Sequence, residues 1–218
     1  SLSTRQCPVL FVPELARGLI GHLLSAVSGG ALYRQASFLL DHVGKPVMPA
    51  WLDINERPHL ARGQGSANFD AEGVATVDSA LVEKGVLARY MLSSYSARKL
   101  GLSSTGNAGG IHNLVVDAGA ADGERSDFDG MLARLGTGLL LTEVMGQGVS
   151  TVTGDYSRGA SGFWVENGKI AYPVEGITIA ANLRDMFNGI VAVGSDVDIR
   201  SHLLTGSILL DRMTVAGE

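Results

Sequence analysis

The dipeptide Asn167-Gly168 constrains this chain more than any other feature. It stands between FWVE at 163–166 and KIAYPV at 169–174. Asn-Gly accepts the positive φ angles of a type I′ turn, whose twist matches that of two paired strands. Phe163 to Val174 therefore reads as a β-hairpin. Glycine usage extends the point. Of the 218 residues 29 are glycine and only 6% are aromatic, in a chain that is 45% hydrophobic. That balance implies many tight turns between short strands. The expected fold class is α+β, predominantly β: an antiparallel, barrel-like or twisted sheet with a few helices, in one domain over residues 1–218.

Cys7 to Val12 reads as a short buried strand. Pro13 suits the first turn of a helix, where its missing N–H costs nothing. Leu15, Leu19, His22, Leu23 and Ala26 recur at helical spacing, and Gly29-Gly30 are expected to end that helix. Ser37 to Val43 is a short helix or a connection. Lys45 to Asn68, punctuated by Pro46, Pro49 and Pro58, reads as a long excursion over the surface. Val74 to Val77 alternates like a strand, and Leu81 to Leu92 reads as a hairpin turning at Glu83-Lys84-Gly85. Ser94 to Leu100 is expected to be a helix stopped by Gly101, Ser103 to Gly110 a flexible loop, and His112 to Val116 a strand. An exposed loop is expected over Ala118 to Arg125. Phe128 to Leu135 looks helical behind a capping Asp127. Gly138 to Val144, Ile177 to Ala180 and Ile190 to Val193 read as strands, with a helical turn over Asn182 to Asn188. Ser207 to Leu210 and Met213 to Ala216 form a terminal pair. No internal repeat is visible.

Net charge is −5, without the basic cluster that neutralises phosphates in nucleic-acid binders. No apolar run reaches the ~18 residues of a membrane span. The single cysteine, Cys7, forms no intrachain disulfide and fits a reducing compartment, so a cytoplasmic protein is expected. The chain opens without Met and enters a strand almost at once, which reads as a fragment.

Several segments, in consistent order, resemble the PmbA/TldD metalloprotease family, specifically the C-terminal portion of its PmbA/TldE branch. They are SGGALYRQASFLLDHVGKPV (28–47), SYSARKLGLSSTGNAGGIHN (94–113), MGQGVSTVTGDYSRGASGFWVENGKIAYPV (145–174) and ITIAANLRDMFNGIVAVGSD (177–196), with a fitting close in GSILLDRMTVAGE. Family members are about twice this long, so the resemblance implies a missing N-terminal domain. TldD-type subunits are similar to zinc peptidases that degrade unfolded peptides, using His-Glu-x-x-x-His on a helix and a later cysteine. The TldE/PmbA subunit pairs with TldD. The family is associated with maturation of a peptide antibiotic and turnover of a gyrase-directed antidote, and its older name is modulator of DNA gyrase.

The motif aligns with Gly18 to Val27. His22 matches the first histidine, Leu23 stands where the glutamate belongs, and Val27 where the second histidine belongs. Neither side chain binds zinc or moves a proton. The tail from Asp196 to Ser207 lacks the cysteine. The resemblance therefore implies no catalytic residue, metal ligand or cofactor in this chain, with zinc carried by a TldD-like partner. On its own residues, His22 reads as a hydrogen-bonded histidine beside the core.

Other constellations read more plainly still. His42, His59, His112 and His202 show no metal spacing. Asp53, Glu56 and His59 read as solvated polar residues. GDYSRGASG lacks a nucleophile elbow and reads as structural. Ser103 to Gly110 lacks the ending of a phosphate loop. GQGVST, through Gly146, Gln147, Gly148 and Val149, is a candidate edge for strand addition by an extended peptide. Three functions follow: a noncatalytic subunit of a TldD/TldE-like complex acting on unfolded peptides, a self-sufficient hydrolase, or a homodimeric peptide-binding or regulatory protein without chemistry.

Overall fold

The computed structural model describes residues 2–217. The chain opens with β1 (Arg5–Phe11), α1 (Pro13–Ala26) and α2 (Gly29–Tyr33). There follow β2 (Ile54–Glu56), β3 (Ser79–Glu83), β4 (Val86–Leu87), α3 (Ser94–Leu100), β5 (Leu114–Val116) and β6 (Gly119–Ala120). Next come α4 (Phe128–Leu135), β7 (Gly138–Met145), β8 (Asp155–Glu166) and β9 (Lys169–Asn182). The last elements are α5 (Leu183–Asn188), β10 (Ile190–Val193), β11 (Leu203–Leu204) and β12 (Ile208–Gly217). Strand takes 36% of the residues and helix 19%, so the fold is α+β with β dominant.

The larger sheet runs β1-β7-β8-β9-β12-β10-β6, and β1 also pairs with β12. That extra pairing closes β1, β7, β8, β9 and β12 into a five-stranded barrel. A second sheet runs β11-β5-β2-β3-β4. Most pairs are antiparallel, as expected, but β1–β7 and β11–β5 are parallel. Each parallel pair joins strands far apart in sequence, which gives the chain length a crossover needs.

β1 is buried on both faces. Val9 and Phe11 enter the main core with α1 and both sheets, while Leu10 enters a second cluster with Met131, Leu132 and Leu140. A strand covered on two sides reads as a continuous apolar run rather than an alternation. β8 and β9 form the long hairpin at Asn167-Gly168, whose φ angles of 50° and 76° are those of the type I′ turn. Lys84 and Gly85, at 47° and 77°, repeat the device between β3 and β4. α3 is capped at Ser93 and stopped by Gly101 at φ 68°, and the Asp127 side chain accepts from the Gly130 N–H to start α4.

Several expectations are corrected. Gly29 and Gly30 do not end α1, which stops at Ala26; they begin α2, where a Cβ on Gly29 would overlap Ser96 of α3. Val74 to Val77 forms no strand, because Ala75 makes only an isolated bridge to Phe69. Ile177 to Ala180 is part of β9, and the terminal pair is the single strand β12. Ala118 to Arg125 contains the edge strand β6. Of the two readings of Ser37 to Val43, the connection is the one observed.

The largest correction concerns residues 45–68. Val47, Met48, Leu52 and Ile54 are buried, and β2 lies between β5 and β3 in the second sheet. Glu56 is accordingly no surface charge: it is 3% exposed. Its Oε1 accepts from Arg89 Nη2 at 2.8 Å, and its Oε2 accepts from Asn107 Nδ2 and the His112 N–H, each at 2.8 Å. Asp53 does stay partly exposed, accepting from the Lys84 N–H at 2.7 Å, and His59 Nε2 lies 3.1 Å from Thr76 Oγ1. A second carboxylate, Asp70, accepts the N–H groups of Glu72, Val74 and Ala108. Burial disfavours its charge, but the N–H donors of Val74, Ala108 and Glu72, with the more distant His112, outweigh burial and hold its pKa below the ordinary aspartate value.

Glu56→Gln replaces an acceptor oxygen by an NH2 group amid N–H donors. It is expected to cost about 3 kcal/mol of unfolding free energy, and an unchanged urea midpoint refutes this. Asp70, with a depressed folded pKa, contributes stability above its unfolded pKa and loses it as pH falls through the folded one. Asp70→Asn is therefore expected to flatten the acid limb of a plot of melting temperature against pH, and parallel acid limbs contradict it.

Candidate functional site

A groove of about 1060 Å³ runs along one face of α1. Gly18, Gly21 and Ser25 line it from that helix, at spacings of three and four that place them on one stripe, and Ser28, at the N-cap position of α2, continues the line. Arg17 and Leu24 flank the stripe. α2 contributes Tyr33 and its C-cap residue Arg34 follows, while α3 contributes Tyr95 and Ser96 behind its capping Ser93. The segment Asn107 to Ile111 forms another wall, Thr151 and Val152 an end, and Ser201 to Leu203 the remainder.

The Asn107 wall is held rigidly for a glycine-rich loop. Gly106, Gly109 and Gly110 take φ of 74°, 91° and 119°, which turn the loop inward. Asn107 and His112 are bound by Glu56, Ala108 by Asp70, and Thr105 Oγ1 donates to Asn107 Oδ1 at 2.7 Å. The sequence marks this loop as flexible; the buried carboxylates that fasten it come from segments about 40 and 50 residues earlier, which no local pattern reveals.

His22 does not face the groove. Its ring is half buried and meets Tyr156 edge-on, with centroids 5.9 Å apart and planes at 78°. Burial, then the nearby charge of Arg158, lowers its pKa. Among the described residues no side-chain hydrogen bond holds it, so packing replaces the hydrogen bond expected from sequence. Leu23 and Val27, aligned with the glutamate and second histidine of the family motif, are wholly buried. The helix face open to the groove is instead the stripe of small residues Gly18, Gly21 and Ser25, which carries no ligand chemistry for a sequence motif to mark.

The groove lining holds one imidazole (His202), two guanidiniums (Arg17, Arg34) and two phenols, and neither a carboxylate nor a thiol. Zinc in a hydrolase needs two or three N, O or S ligands around an open position, and this donor set does not fit it. The other histidines are dispersed. His42 Nδ1 lies 2.6 Å from Leu40 O, and His112 Nδ1 is buried 3.6 Å from Glu56 Oε2. Among the described residues no three His, Cys, Asp or Glu side chains gather as a metal site. Cys7 is buried in β1; burial, against the opposing Arg5 charge and a backbone hydrogen bond at Leu139, pushes its thiol up to about 11.

Gly146, Gln147, Gly148 and Val149 continue the line of β7. The Gly148 carbonyl accepts from Ser157 N at 2.7 Å, and Ser150 N donates to Asp155 O at 2.8 Å. Val149 bridges to Tyr156 between these two bonds, so its own N–H and C=O turn to the opposite edge. β1 pairs with β7 only as far as Leu141. Beyond it, among the described residues, the outer edge from Glu143 to Val149 has no strand partner. That edge leads directly to Thr151 and Val152 at the end of the groove.

Residues 4–217 match the family model described as the PmbA/TldA metallopeptidase C-terminal domain. The chain is 56% identical over 216 residues to a metalloprotease PmbA homolog of Haemophilus influenzae and 54% identical over 217 residues to the metalloprotease PmbA of Escherichia coli. These alignments cover 99% and 100% of this chain and 47% of each relative, so the chain spans about half their length. A metalloprotease TldD homolog of H. influenzae is 27% identical over 218 residues, covering 91% of this chain and 44% of that protein. Among solved structures, one assigned as a modulator of DNA gyrase from Bacteroides thetaiotaomicron superposes with a TM-score of 0.93 at 30% identity, over 100% of this chain and 48% of the other. TldE from Thermococcus kodakarensis shares the fold, with a TM-score of 0.85 at 24% identity over 99% of this chain and 51% of the other. With a family match over nearly its whole length and relatives identical at more than half their aligned positions, the chain belongs to the PmbA/TldA metallopeptidase C-terminal domain family.

Proposed function

We propose that this chain is the noncatalytic, peptide-holding part of a TldD/TldE-like metalloprotease complex that acts on unfolded peptides. One observation carries the reading: a groove large enough for a peptide segment runs along α1, yet its lining lacks a ligand set for zinc and a carboxylate to serve as base. Zinc and the chemistry then belong to a TldD-like partner. The names of the relatives support that context, because PmbA-named and TldD-named metalloproteases both align with this chain. The buried free thiol of Cys7 is in keeping with a reducing, cytoplasmic setting. No helix among the described residues is long and apolar enough to cross a membrane. No direct contact with gyrase is part of the proposal.

An extended peptide is held in this reading by strand addition at Gly146 to Val149. Main-chain hydrogen bonds give affinity without strict sequence choice, which suits a protease of unfolded chains. The free edge ends where the groove begins, so a peptide paired with Val149 is led past Thr151 toward the α1 stripe.

Full-length protein, alone and mixed with a TldD-like relative that keeps His-Glu-x-x-x-His, is expected to cleave an unfolded test peptide only in the mixture, with zinc tracking the relative. Stoichiometric zinc and turnover by the protein alone overturn the assignment. Val149→Pro removes the outward N–H and leaves the bonds of Gly148 and Ser150 to β8 in place. Its affinity for a fluorescein-labelled unstructured peptide is expected to fall about fivefold, the weight of one net hydrogen bond, while Val149→Ala retains affinity. Equal binding by Val149→Pro, with an unchanged melting temperature, excludes strand addition at this edge.

A further inference from the structure

The groove differs in charge from the molecule around it. The chain carries 22 acidic and 17 basic residues, yet the lining contains Arg17, Arg34 and His202 and no acidic side chain. Arg34 is exposed and, among the described residues, has no ion-pair partner. Its guanidinium carbon lies 6.0 Å from the centroid of Tyr33. Tyr33 meets Tyr95 edge-on at 5.8 Å and 82°, and Lys99 Nζ stands 5.6 Å from the Tyr95 centroid. Two aromatic rings are therefore set between two cations at one side of the groove.

Of the nearby carboxylates, Asp198 is paired with cations: it binds Arg200 through both oxygens at 3.0 Å and lies 3.6 Å from Arg17. Glu72 accepts the Ser94 N–H at 3.1 Å and keeps its charge, but it is not part of the lining. Arg17 is thus partly neutralised, whereas Arg34 and Lys99 are not. Uncompensated positive charge beside a concave wall concentrates field lines there and raises the local concentration of anionic ligands. A guanidinium also receives a carboxylate through two parallel N–H donors, which a lysine cannot do.

We propose that this groove selects peptide segments bearing carboxylates, with Arg34 as the anchoring cation, Lys99 and Arg17 adding to the field, and the Tyr33–Tyr95 pair supporting the adjoining apolar side chain. The carboxylate belongs either to Asp or Glu side chains or to the C-terminus of the peptide; both present the same anion. The inference rests on the reading of the groove as a peptide site.

The test is fluorescence anisotropy on full-length protein with labelled peptides of one length: a Glu-rich peptide amidated at its C-terminus, its Gln isostere amidated, and the Gln isostere with a free C-terminus. At low salt at least one carboxylate-bearing peptide is expected to bind about tenfold more tightly than the amidated Gln isostere, with the gap closing as salt rises. Preference for the Glu-rich peptide identifies side chains as the anion, and preference for the free acid identifies the C-terminus. Arg34→Gln is expected to abolish the preference and to leave the melting temperature unchanged. Equal, measurable binding of all three peptides overturns the charge selection and leaves the peptide groove standing. Binding of none overturns both. A preference that survives Arg34→Gln removes Arg34 from the role.

Discussion

Three hydrogen bonds of 2.8 Å converge on the carboxylate of Glu56, from Arg89, Asn107 and the His112 N–H. A charge buried to this degree is tolerable only when paired and fully hydrogen-bonded. The requirement works in the other direction as well: the donors have no freedom to leave. Glu56 belongs to β2, at the centre of the second sheet, and Asn107 and His112 bracket the loop that forms a wall of the groove. The wall is therefore referenced to the sheet. Asp70 repeats the arrangement from the side of residues 70–74, binding Ala108 between the two points that Glu56 holds. A loop rich in glycine costs more backbone entropy to order than most, and these two carboxylates supply the compensating interactions.

What was legible in the sequence is what depends on neighbours in sequence. Asn167-Gly168 and Lys84-Gly85 turn as their φ preferences require, Pro13 opens α1, Asp127 caps α4, and Gly101 stops α3. The parts that escaped depend on contacts between distant segments. β2 is three residues long among prolines, too short for an alternation to show, and it is a strand only because β3 and β5 close on both of its edges. The closing pair β1–β12 joins the two ends of the chain, and barrel-like was as far as local signals could reach. Val74 to Val77 shows the converse: it alternates like a strand but meets no partner beyond a single bridge.

His22 is the chemically capable side chain of α1, but the groove lies along the face that carries Gly18, Gly21 and Ser25, with Ser28 just past the end of the helix. His22 and its aligned neighbours Leu23 and Val27 turn toward Tyr156 and the core. Small residues at spacings of three and four are a weaker signal than a histidine, yet they let the groove approach the helix backbone closely. Whether the edge at Gly146 to Val149 is open depends on β1 ending its pairing at Leu141 as Pro13 turns the chain into α1, a long-range contact that no local pattern reveals.

That early departure of β1 links the barrel to the groove. Pairing between β1 and β7 would have to continue past Phe11 to cover the edge from Glu143 onward, but proline has no N–H to donate and starts a helix instead. The same residue therefore leaves the edge of β7 open and sends α1 across the core, where its small-residue stripe lines the groove. In the proposed reading, an extended peptide entering along the edge would be aligned with the groove by the path of the barrel strand, and Arg34 with the tyrosine pair would add discrimination at one side. Backbone placement and side-chain choice would then rest on different elements: the first on the register of β7 and β8, the second on the ends of α2 and α3 and the loop fastened by Glu56.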